Sequence, residues 1–438
     1  RMKKHIFRKK IVLAALLSLT LLLSSCKTVG LDSDRLLTPP QMNAADREIL
    51  SAIDSVSSSY KLIYPKSGSY QTAVTSVDLT GDDKNEAICF YLDGNNKTVS
   101  VIVLESIDES WTVKGKSDSR ANAVDRVNFC DLNGDGIKEI VIGWQFQSGE
   151  EKAIEIFGFG TDTALKSLYT GMYNNFIAFN DSVVVISRNT SGTTASASLI
   201  GRSGNTVSIL NTVALNNSIV SFVSVQSGQL SDSRRIVYID EQLKNLMYTT
   251  EVLTIEKTGE LSRSPDDIST KTMRTRAYRC LDINDDKLPD IPVEKNFPVY
   301  ERNNQQENLT YVEWHVYDGT SLEFLKTAYT SLNEQFMIEL PKDWIDNITI
   351  QRDSDTERAV HFYYIGKDNQ TADAAPIPMF SIRVFSQQEY SDTVQSLGWQ
   401  TISTSSENVY TFRSDNSELP PQFAVDKDTV SALFKLLS

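Results

Sequence analysis

The chain has 438 residues, of which 40% are hydrophobic, and its formal net charge at pH 7 is −14. This length is sufficient for two domains with hydrophobic cores. A strongly acidic chain without a basic cluster repels nucleic acid and anionic lipid headgroups, so the charge argues against any nucleic-acid partner.

Residues 1–25 have the pattern of a signal peptide. Basic residues precede the apolar run IVLAALLSLTLLL, which is too short to span a bilayer as a helix. The following LSSC, which ends at Cys26, resembles the lipobox of bacterial lipoproteins, in which the cysteine is lipidated. An ordinary secretory signal that ends near a cysteine is the alternative. The resemblance implies a lipid anchor on Cys26 that holds the chain at the extracytoplasmic face of the cell membrane.

The next two segments connect this anchor to the first repeat. Residues 26–42 form a polar, proline-bearing spacer, and removal of residues 1–25 takes away six positive charges and leaves a net charge of about −20. Asn43 can cap a helix within residues 43–60. The apolar face of that helix, which we expect to pack on the following domain, consists of Ile49, Leu50, Ile53 and Val56.

Three nine-residue stretches share one pattern: DLTGDDKNE from Asp78, DLNGDGIKE from Asp131 and DINDDKLPD from Asp282. Position two is aliphatic each time, as expected of a side chain that inserts into a core. Oxygen-bearing side chains stand at positions one, three, five and nine: Asp78, Thr80, Asp82, Glu86; Asp131, Asn133, Asp135, Glu139; Asp282, Asn284, Asp286, Asp290. Position seven can add a backbone carbonyl oxygen, from Lys84, Ile137 or Leu288.

This spacing predicts calcium loops. Calcium takes six to eight oxygen ligands at about 2.3–2.6 Å, whereas magnesium demands stricter octahedral geometry. The last acid stands at position nine and a strand-like sequence follows, so the loops are not EF-hands. Asp, Asn and Gly also form plain hairpin turns. Because three copies keep one register of acids, we expect turns built around up to three structural calcium ions.

The spacing of the loops also predicts an architecture. Glu86 and Glu139 are 53 residues apart, and Asp290 follows 151 residues later, close to three such periods. Two degenerate copies therefore lie between: NNFIAFNDSVVVISR, with an Asn180-Asp181 turn, and SVQSGQLSDSRRIVYID. Arg235 replaces the last acid of the second copy, so we expect it to neutralise that site without a metal.

Each period contains four short β segments, which is typical of a β-propeller blade. The sequence thus predicts a mainly β fold, with a β-propeller of about five four-stranded blades in residues 61–328. The loops resemble the calcium loops of FG-GAP and VCBS repeats, the family that includes integrin α-subunit propellers. The whole chain resembles propeller lipoproteins of the surface of gut Firmicutes, which implies a Gram-positive host but no particular activity.

The repeat pattern stops after residue 328. Strand-like runs such as AVHFYYIG and NVYTFRSD, together with the terminal helical pattern DKDTVSALFKLLS, predict a small α+β domain in residues 333–438. Trp344 is expected in its core.

Few residues suggest catalysis. Cys89, Cys130 and Cys280 stand in apolar contexts and are expected to be buried thiols without a disulfide. His315 and His361 occupy strand-like sequence and are expected to be half-buried and hydrogen-bonded. No nucleophile, P-loop or dinucleotide motif is present, so we expect no enzyme activity.

The favoured hypothesis is a tethered, monomeric module that binds or assembles with an extracellular protein or glycan. Exposed aromatic residues on one propeller face, such as Tyr64, Trp111 or Trp144, would support it. The alternative is a glycan-active enzyme with a carboxylate pair on the propeller face. A solute-binding lipoprotein of a transporter would need two similar α/β lobes, and the repeat argues against it.

Overall fold

The computed structural model describes most of the chain after residue 43, and the signal peptide, Cys26, the spacer and Asn43 lie outside the described residues. The described residues are 44–94, 97–108, 110–146, 151–160, 162–189, 191, 193–204, 206–298, 309–353, 358–366, 375–390, 394, 396–415 and 419–437. No helix among them is both long and apolar enough to cross a membrane.

Within the described ranges, six antiparallel sheets follow one another along the chain. The first contains β1 (Tyr60–Ile63), β2 (Val74–Val77), β3 (Glu86–Asp93), β4 (Val99–Ile107) and β5 (Ser110–Ser119). Both β1 and β2 pair with β3, at Phe90–Asp93 and Glu86–Cys89 respectively, so they form one interrupted edge strand. The sheet is therefore a four-stranded blade.

The second, third and fourth sheets are simple four-stranded meanders in chain order. The second contains β6 (Ala123–Cys130), β7 (Glu139–Gln145), β8 (Lys152–Phe159) and β9 (Leu165–Met172). The third contains β10 (Asn175–Ala178), β11 (Ser182–Arg188), β12 (Ala195–Ser203) and β13 (Thr206–Ala214). The fourth contains β14 (Ile219–Gln229), β15 (Arg235–Leu243), β16 (Tyr248–Ile255) and β17 (Leu261–Arg263), and α2 (Asp266–Lys271) follows it.

The fifth sheet is built differently at its edges. Its strands are β18 (Ile291–Asn296), β19 (Thr310–Tyr317), β20 (Leu322–Ser331), β21 (Phe336–Glu339) and β27 (Phe434–Leu436). The edge strand that should precede β18 is reduced to a bridge between Leu281 and Asp290. The opposite edge continues past residue 328, the predicted end of the propeller, and finally takes a strand from the end of the chain.

The sixth sheet lies in the predicted C-terminal domain. Its strands are β22 (Ile348–Arg352), β23 (Ala359–Tyr364), β24 (Ile377–Ser386), β25 (Gln400–Thr404) and β26 (Asn408–Ser414), in the order β22-β23-β24-β26-β25. Before β27 comes α3 (Lys427–Leu433), whose first turn is capped by the Asp426 carboxylate, which accepts the Thr429 N–H. Trp344 is buried in the cluster between the fifth and sixth sheets, as predicted.

Middle strands read as continuous apolar runs because both of their faces are buried. In β15, Val237 and Ile239 pack toward the third sheet, whereas Ile236 and Tyr238 pack toward the fifth. Similar clusters join the first sheet to the second and the second to the third. Sheets that stack on their sequence neighbours in this way are propeller blades. The mainly β propeller with about five four-stranded blades is confirmed.

The predicted helix is α1 (Ala44–Asp54). Ile49 and Ile53 are buried against the outer face of the first sheet, with Cys89 and Tyr91 among their neighbours. Val56 lies beyond the helix and is 36% exposed, so it is not part of the buried face. The helix covers the apolar face of the first blade that lies opposite the second blade.

Candidate metal centres

The three repeated loops close in the same way. In each, the acid at position nine is buried and accepts the backbone N–H of position two: Leu79 to Glu86 at 2.7 Å, Leu132 to Glu139 at 2.6 Å and Ile283 to Asp290 at 2.9 Å. This contact turns the aliphatic side chain of position two inward. All three of those side chains are buried in hydrophobic clusters, as the sequence predicted.

The backbone inside the three loops also follows one path. Positions four and six have positive φ in every copy: Gly81 and Asp83, Gly134 and Gly136, Asp285 and Lys287. Loop three adopts this left-handed conformation without a glycine, which costs conformational energy that its hydrogen bonds must offset. The shared path shows that the three loops are structural copies.

The aspartates at positions one and five hold this path. The Asp131 carboxylate accepts the N–H groups of Gly134 at 2.7 Å and Gly136 at 3.0 Å, which are positions four and six, and Asp78 accepts those of the same two positions. Asp282 instead accepts the N–H groups of positions five and six. The aspartate at position five accepts the backbone N–H of position seven in every loop. The pairs are Asp135 with Ile137 at 2.8 Å, Asp82 with Lys84 and Asp286 with Leu288. These carboxylates are turned toward the backbone. Among the described residues, no group of three or more acidic, histidine or cysteine side chains is arranged to hold a metal.

The loops concentrate negative charge in partly buried surroundings. Burial, and then the neighbouring Asp135 and Asp131, raise the pKa of Glu139 to about 7. Burial, and then Asp286 and Asp282, raise the pKa of Asp290 to about 6. A cation at either loop would remove this repulsion.

Loop three carries one unsatisfied oxygen. Asp290 is fully buried, and its Oδ1 has no hydrogen-bond partner among the described residues. The equivalent oxygens in the other loops accept a hydrogen bond from Thr80 at 3.2 Å or from the Asn133 amide at 2.8 Å. An orphaned buried carboxylate oxygen among hard oxygen donors fits a calcium ion.

Neighbouring loops are connected to one another. Lys138 donates its backbone N–H to the Leu79 carbonyl at 2.7 Å and its Nζ to the Asp78 carbonyl at 2.9 Å. Asp131 donates its backbone N–H to the carbonyl of Asn180, in the degenerate turn of the third blade, at 2.8 Å. The two loops at Asp78 and Asp131 and this degenerate turn therefore form a row along one end of the first three blades.

Arg235 differs from its predicted role. We expected it to neutralise its own degenerate loop, but its guanidinium pairs with Asp181 of the preceding blade and lies 5.0 Å from the centre of the Phe179 ring. Burial acts to raise the pKa of the Asp181 carboxyl, but the ion pair with Arg235 outweighs it and the pKa is lowered. An arginine thus joins two degenerate loops where a metal is not expected.

A buried carboxyl pair exists outside the loops, which sequence reasoning missed. Glu241 and Glu251 are 0% and 1% exposed and lie on the face of the fourth sheet that packs against the third. Burial and the neighbouring Glu251 raise the pKa of Glu241 well above its usual range, and Arg263 pairs with Glu251. Buried acids of this kind are closed to a substrate.

The histidines are held by hydrogen bonds, as predicted. His361 Nε2 lies 2.8 Å from Asp353 Oδ2 and Nδ1 lies 2.7 Å from Ser381 Oγ. This is the composition of a catalytic triad, but Ser381 is fully buried and donates its hydroxyl to Asp415 at 2.8 Å. His315 is half-buried, with Nδ1 3.1 Å from the Glu313 carbonyl oxygen.

The three aromatic residues named from the sequence have different surroundings. Tyr64 is 53% exposed, whereas Trp111 is partly buried beside the cluster beneath α1. Trp144 is 2% exposed and donates its indole N–H to Glu155 at 3.0 Å, so it belongs to the core between the first two blades. They do not form one exposed aromatic face. Cys89, Cys130 and Cys280 are buried, as predicted, and no disulfide joins them to one another.

No protein-family model and no curated protein matches the chain. Among solved structures it is similar to the Dos1 propeller at 8% identity, with a TM-score of 0.29, covering 62% of this chain and 65% of that one. It is similar to rhamnogalacturonan lyase YesW at 10% identity, with a TM-score of 0.30 and 71% of each chain covered. The propeller domain of the Trilobed protease from Pyrococcus furiosus gives 7% identity, a TM-score of 0.28 and coverage of 72% and 90%.

Proposed function

We propose that this chain is a lipid-anchored extracytoplasmic lipoprotein whose calcium-stabilised β-propeller serves as a binding or assembly module. The partner class is an extracellular protein or a glycan. The observation that carries the calcium part is the orphaned, buried Asp290 oxygen in a loop whose backbone is repeated twice more in the chain. An FG-GAP or VCBS-like origin of the loops accounts for that repetition.

Each ion would be held by the side chains at positions one, three, five and nine and by the carbonyl oxygen at position seven. Calcium supplies positive charge where the loops concentrate carboxylates. For an ion to enter, the aspartates at positions one and five must exchange part of their hydrogen bonding to backbone N–H groups for the metal. Extracellular sites of this kind bind at about 10⁻⁴–10⁻³ M, which suits a compartment rich in calcium.

The anchor would be an acyl chain such as palmitate on Cys26, followed by the spacer of residues 26–42. Membrane contact would pass through this lipid, because the acidic surface of the mature chain is repelled by anionic headgroups. A tethered monomer with no catalytic constellation in the loops would act by presenting its blades to a partner.

Calcium binding by the mature chain tests this proposal. We expect titration calorimetry to count up to three calcium ions per chain, with dissociation constants of about 10⁻⁴–10⁻³ M. Asp131→Ala/Asp135→Ala should remove one of them without changing the others. The matched control, Glu48→Ala/Asp54→Ala, removes two exposed acids of α1 and should bind as the unaltered chain does. A chain that takes up no calcium would contradict the proposal.

A further inference from the structure

Two glutamate side chains are buried together between the third and fourth blades. Glu241 on β15 is 0% exposed, and Glu251 on β16 is 1% exposed. The two strands pair with Ile239 opposite Glu251, so the acids are diagonal neighbours on one face of the sheet. Ile239 belongs to the apolar cluster that packs against the third sheet. The interface between two blades therefore encloses two carboxyl groups.

The two carboxyl groups differ in their polar contacts. Arg263 on β17 donates its Nε–H to Glu251 Oε1 at 2.8 Å, and the Asn216 backbone N–H donates to Glu251 Oε2 at 3.3 Å. Neither carboxyl oxygen of Glu241 has a hydrogen-bond donor among the described residues. An ionised carboxylate that is removed from water without a donor is strongly destabilised. Glu241 therefore fits this interface poorly as an anion.

A proton on Glu241 removes the difficulty. A protonated carboxyl is itself a donor, and the Glu251 carboxyl lies close enough to Glu241 for one hydrogen bond between them. Burial, and then repulsion from Glu251, raise the pKa of Glu241 well above its ordinary value. Two carboxyl groups that occupy one site do not both ionise readily, and one of them keeps its proton.

The elements around the pair contribute few other charges. β14, which pairs with β15, contains no titratable side chain. In the third sheet, Arg188 at the end of β11 donates to a backbone carbonyl of β14 at 3.3 Å. The helix α2 packs on β16 and carries the exposed pair of Asp267 and Lys271. Asp240, the neighbour of Glu241 on β15, pairs with Arg274 on the opposite face of the sheet and adds a smaller repulsion.

We propose that Glu241 and Glu251 share one proton at neutral pH and form a pH-sensitive contact between the third and fourth blades. With the proton in place, Glu241 donates to Glu251 and the interface closes on a hydrogen-bonded pair. Loss of the proton leaves two adjacent buried negative charges, whose repulsion weakens the contact between the blades. This contact does not depend on calcium in the loops, so it and the calcium proposal can fail separately.

Through this pair, the folded chain is more stable in acid than in base. Below the ordinary pKa of glutamate, about 4.5, the folded and unfolded chains both hold the proton. As the pH rises above that value, the unfolded chain releases the proton and the folded chain keeps it. The unfolding equilibrium constant then increases by up to about tenfold for each pH unit, until the folded chain also releases its proton.

The test is chemical denaturation of the mature chain and of Glu241→Gln, at about pH 5 and about pH 8 in excess calcium. Glutamine has nearly the shape of glutamic acid, cannot ionise, and donates its amide N–H to Glu251 at every pH. We expect the unfolding constants to agree within about threefold at the lower pH. At the higher pH the unaltered chain should unfold at least about tenfold more readily than Glu241→Gln. Comparison of the two chains cancels the titration of Glu139 and Asp290, which both chains share.

A control and a second readout accompany this comparison. Glu260→Gln, which removes an exposed glutamate just before β17, should keep the pH dependence of the unaltered chain. Infrared spectra at about pH 7 should show a protonated-carboxyl band in the unaltered chain that Glu241→Gln lacks. If Glu241→Gln does not fold, Glu251→Gln replaces it. In that variant Glu241 ionises beside Arg263, so the band should disappear there too.

Three results would overturn the proposal. The first is a ratio of unfolding constants, between the unaltered chain and folded Glu241→Gln, that is the same at both pH values. The second is a Glu241→Gln chain that becomes the less stable of the two as the pH rises. The third is an unaltered chain whose protonated-carboxyl band persists unchanged in the variant.

Discussion

Replacement of Arg274 by methionine is expected to lower the free energy of unfolding by about 3–5 kcal/mol. Arg274 and Asp240 are 0% and 1% exposed, and their ion pair spans 2.8 Å. Asp240 also accepts hydrogen bonds from the Cys280 backbone N–H at 2.8 Å and the Thr250 hydroxyl at 2.7 Å. Removal of the guanidinium leaves a buried charge without its counterion, and that loss outweighs the apolar volume that methionine restores.

The effect should be large because the guanidinium also connects three segments. It donates to the carbonyl oxygens of Tyr278 at 2.8 Å and Thr272 at 2.9 Å, which lie on the chain that leads from the fourth blade into loop three. Chemical denaturation measures the change. Lys271→Met, which breaks the exposed pair with Asp267, is the control and should cost less than about 1 kcal/mol. A loss of similar size in both variants would contradict the role of the buried pair.

Replacement of Trp314 by alanine is expected to cost about 3–5 kcal/mol. Trp314 is fully buried in the fifth sheet and packs with Ile283, Met337 and Tyr278. Ile283 is the position-two side chain of loop three, so this cluster anchors the loop to its blade. A cavity at this position removes packing contacts from both loop three and the fifth blade.

Trp314→Phe is the informative companion. The indole N–H of Trp314 is buried and has no hydrogen-bond partner in the part of the chain that the structure describes. Phenylalanine therefore removes an unsatisfied donor and leaves a smaller cavity than alanine does. We expect the free energy of unfolding of Trp314→Phe to lie much closer to that of the unaltered chain than the free energy of Trp314→Ala does. If phenylalanine were as destabilising as alanine in denaturation experiments, the N–H would have an unrecognised partner.

The blade periodicity was predictable because it depends on local patterns. Middle strands such as EIVIGW are apolar after their first residue, and the turns between strands carry Asp, Asn and Gly, so strand and turn alternate visibly along the chain. The loops were predictable down to the buried position-two side chains, because one register of acids recurs three times.

The edge of the fifth blade was not predictable from the repeat. Its missing first strand is a single bridge at Leu281, and its added strands come from Phe336–Glu339 and, almost one hundred residues later, Phe434–Leu436. Phe434 stacks on Phe336 with ring centres 5.3 Å apart. Such pairing depends on the three-dimensional meeting of distant segments, for which a lone apolar tripeptide gives no local signal.

The polar groups inside the sheets were missed for a similar reason. Asp240 stands in the run RIVYIDEQL, where an acid is compatible with an exposed strand end as well as with a buried pair. Only contact with Arg274, which lies 34 residues later in an irregular segment, decides between them.

Thermal unfolding of the mature chain in excess calcium and in excess chelator tests the central claim most directly. A ligand that binds only the folded state stabilises that state by about 2.7 kcal/mol per site when its concentration is one hundred times the dissociation constant. We therefore predict that calcium raises the melting temperature by several degrees, that magnesium at equal concentration raises it less, and that Asp131→Ala/Asp135→Ala reduces the rise. The same melting temperature in calcium and in chelator would contradict the account, and the three loops would then be hairpin turns stabilised by their own carboxylates.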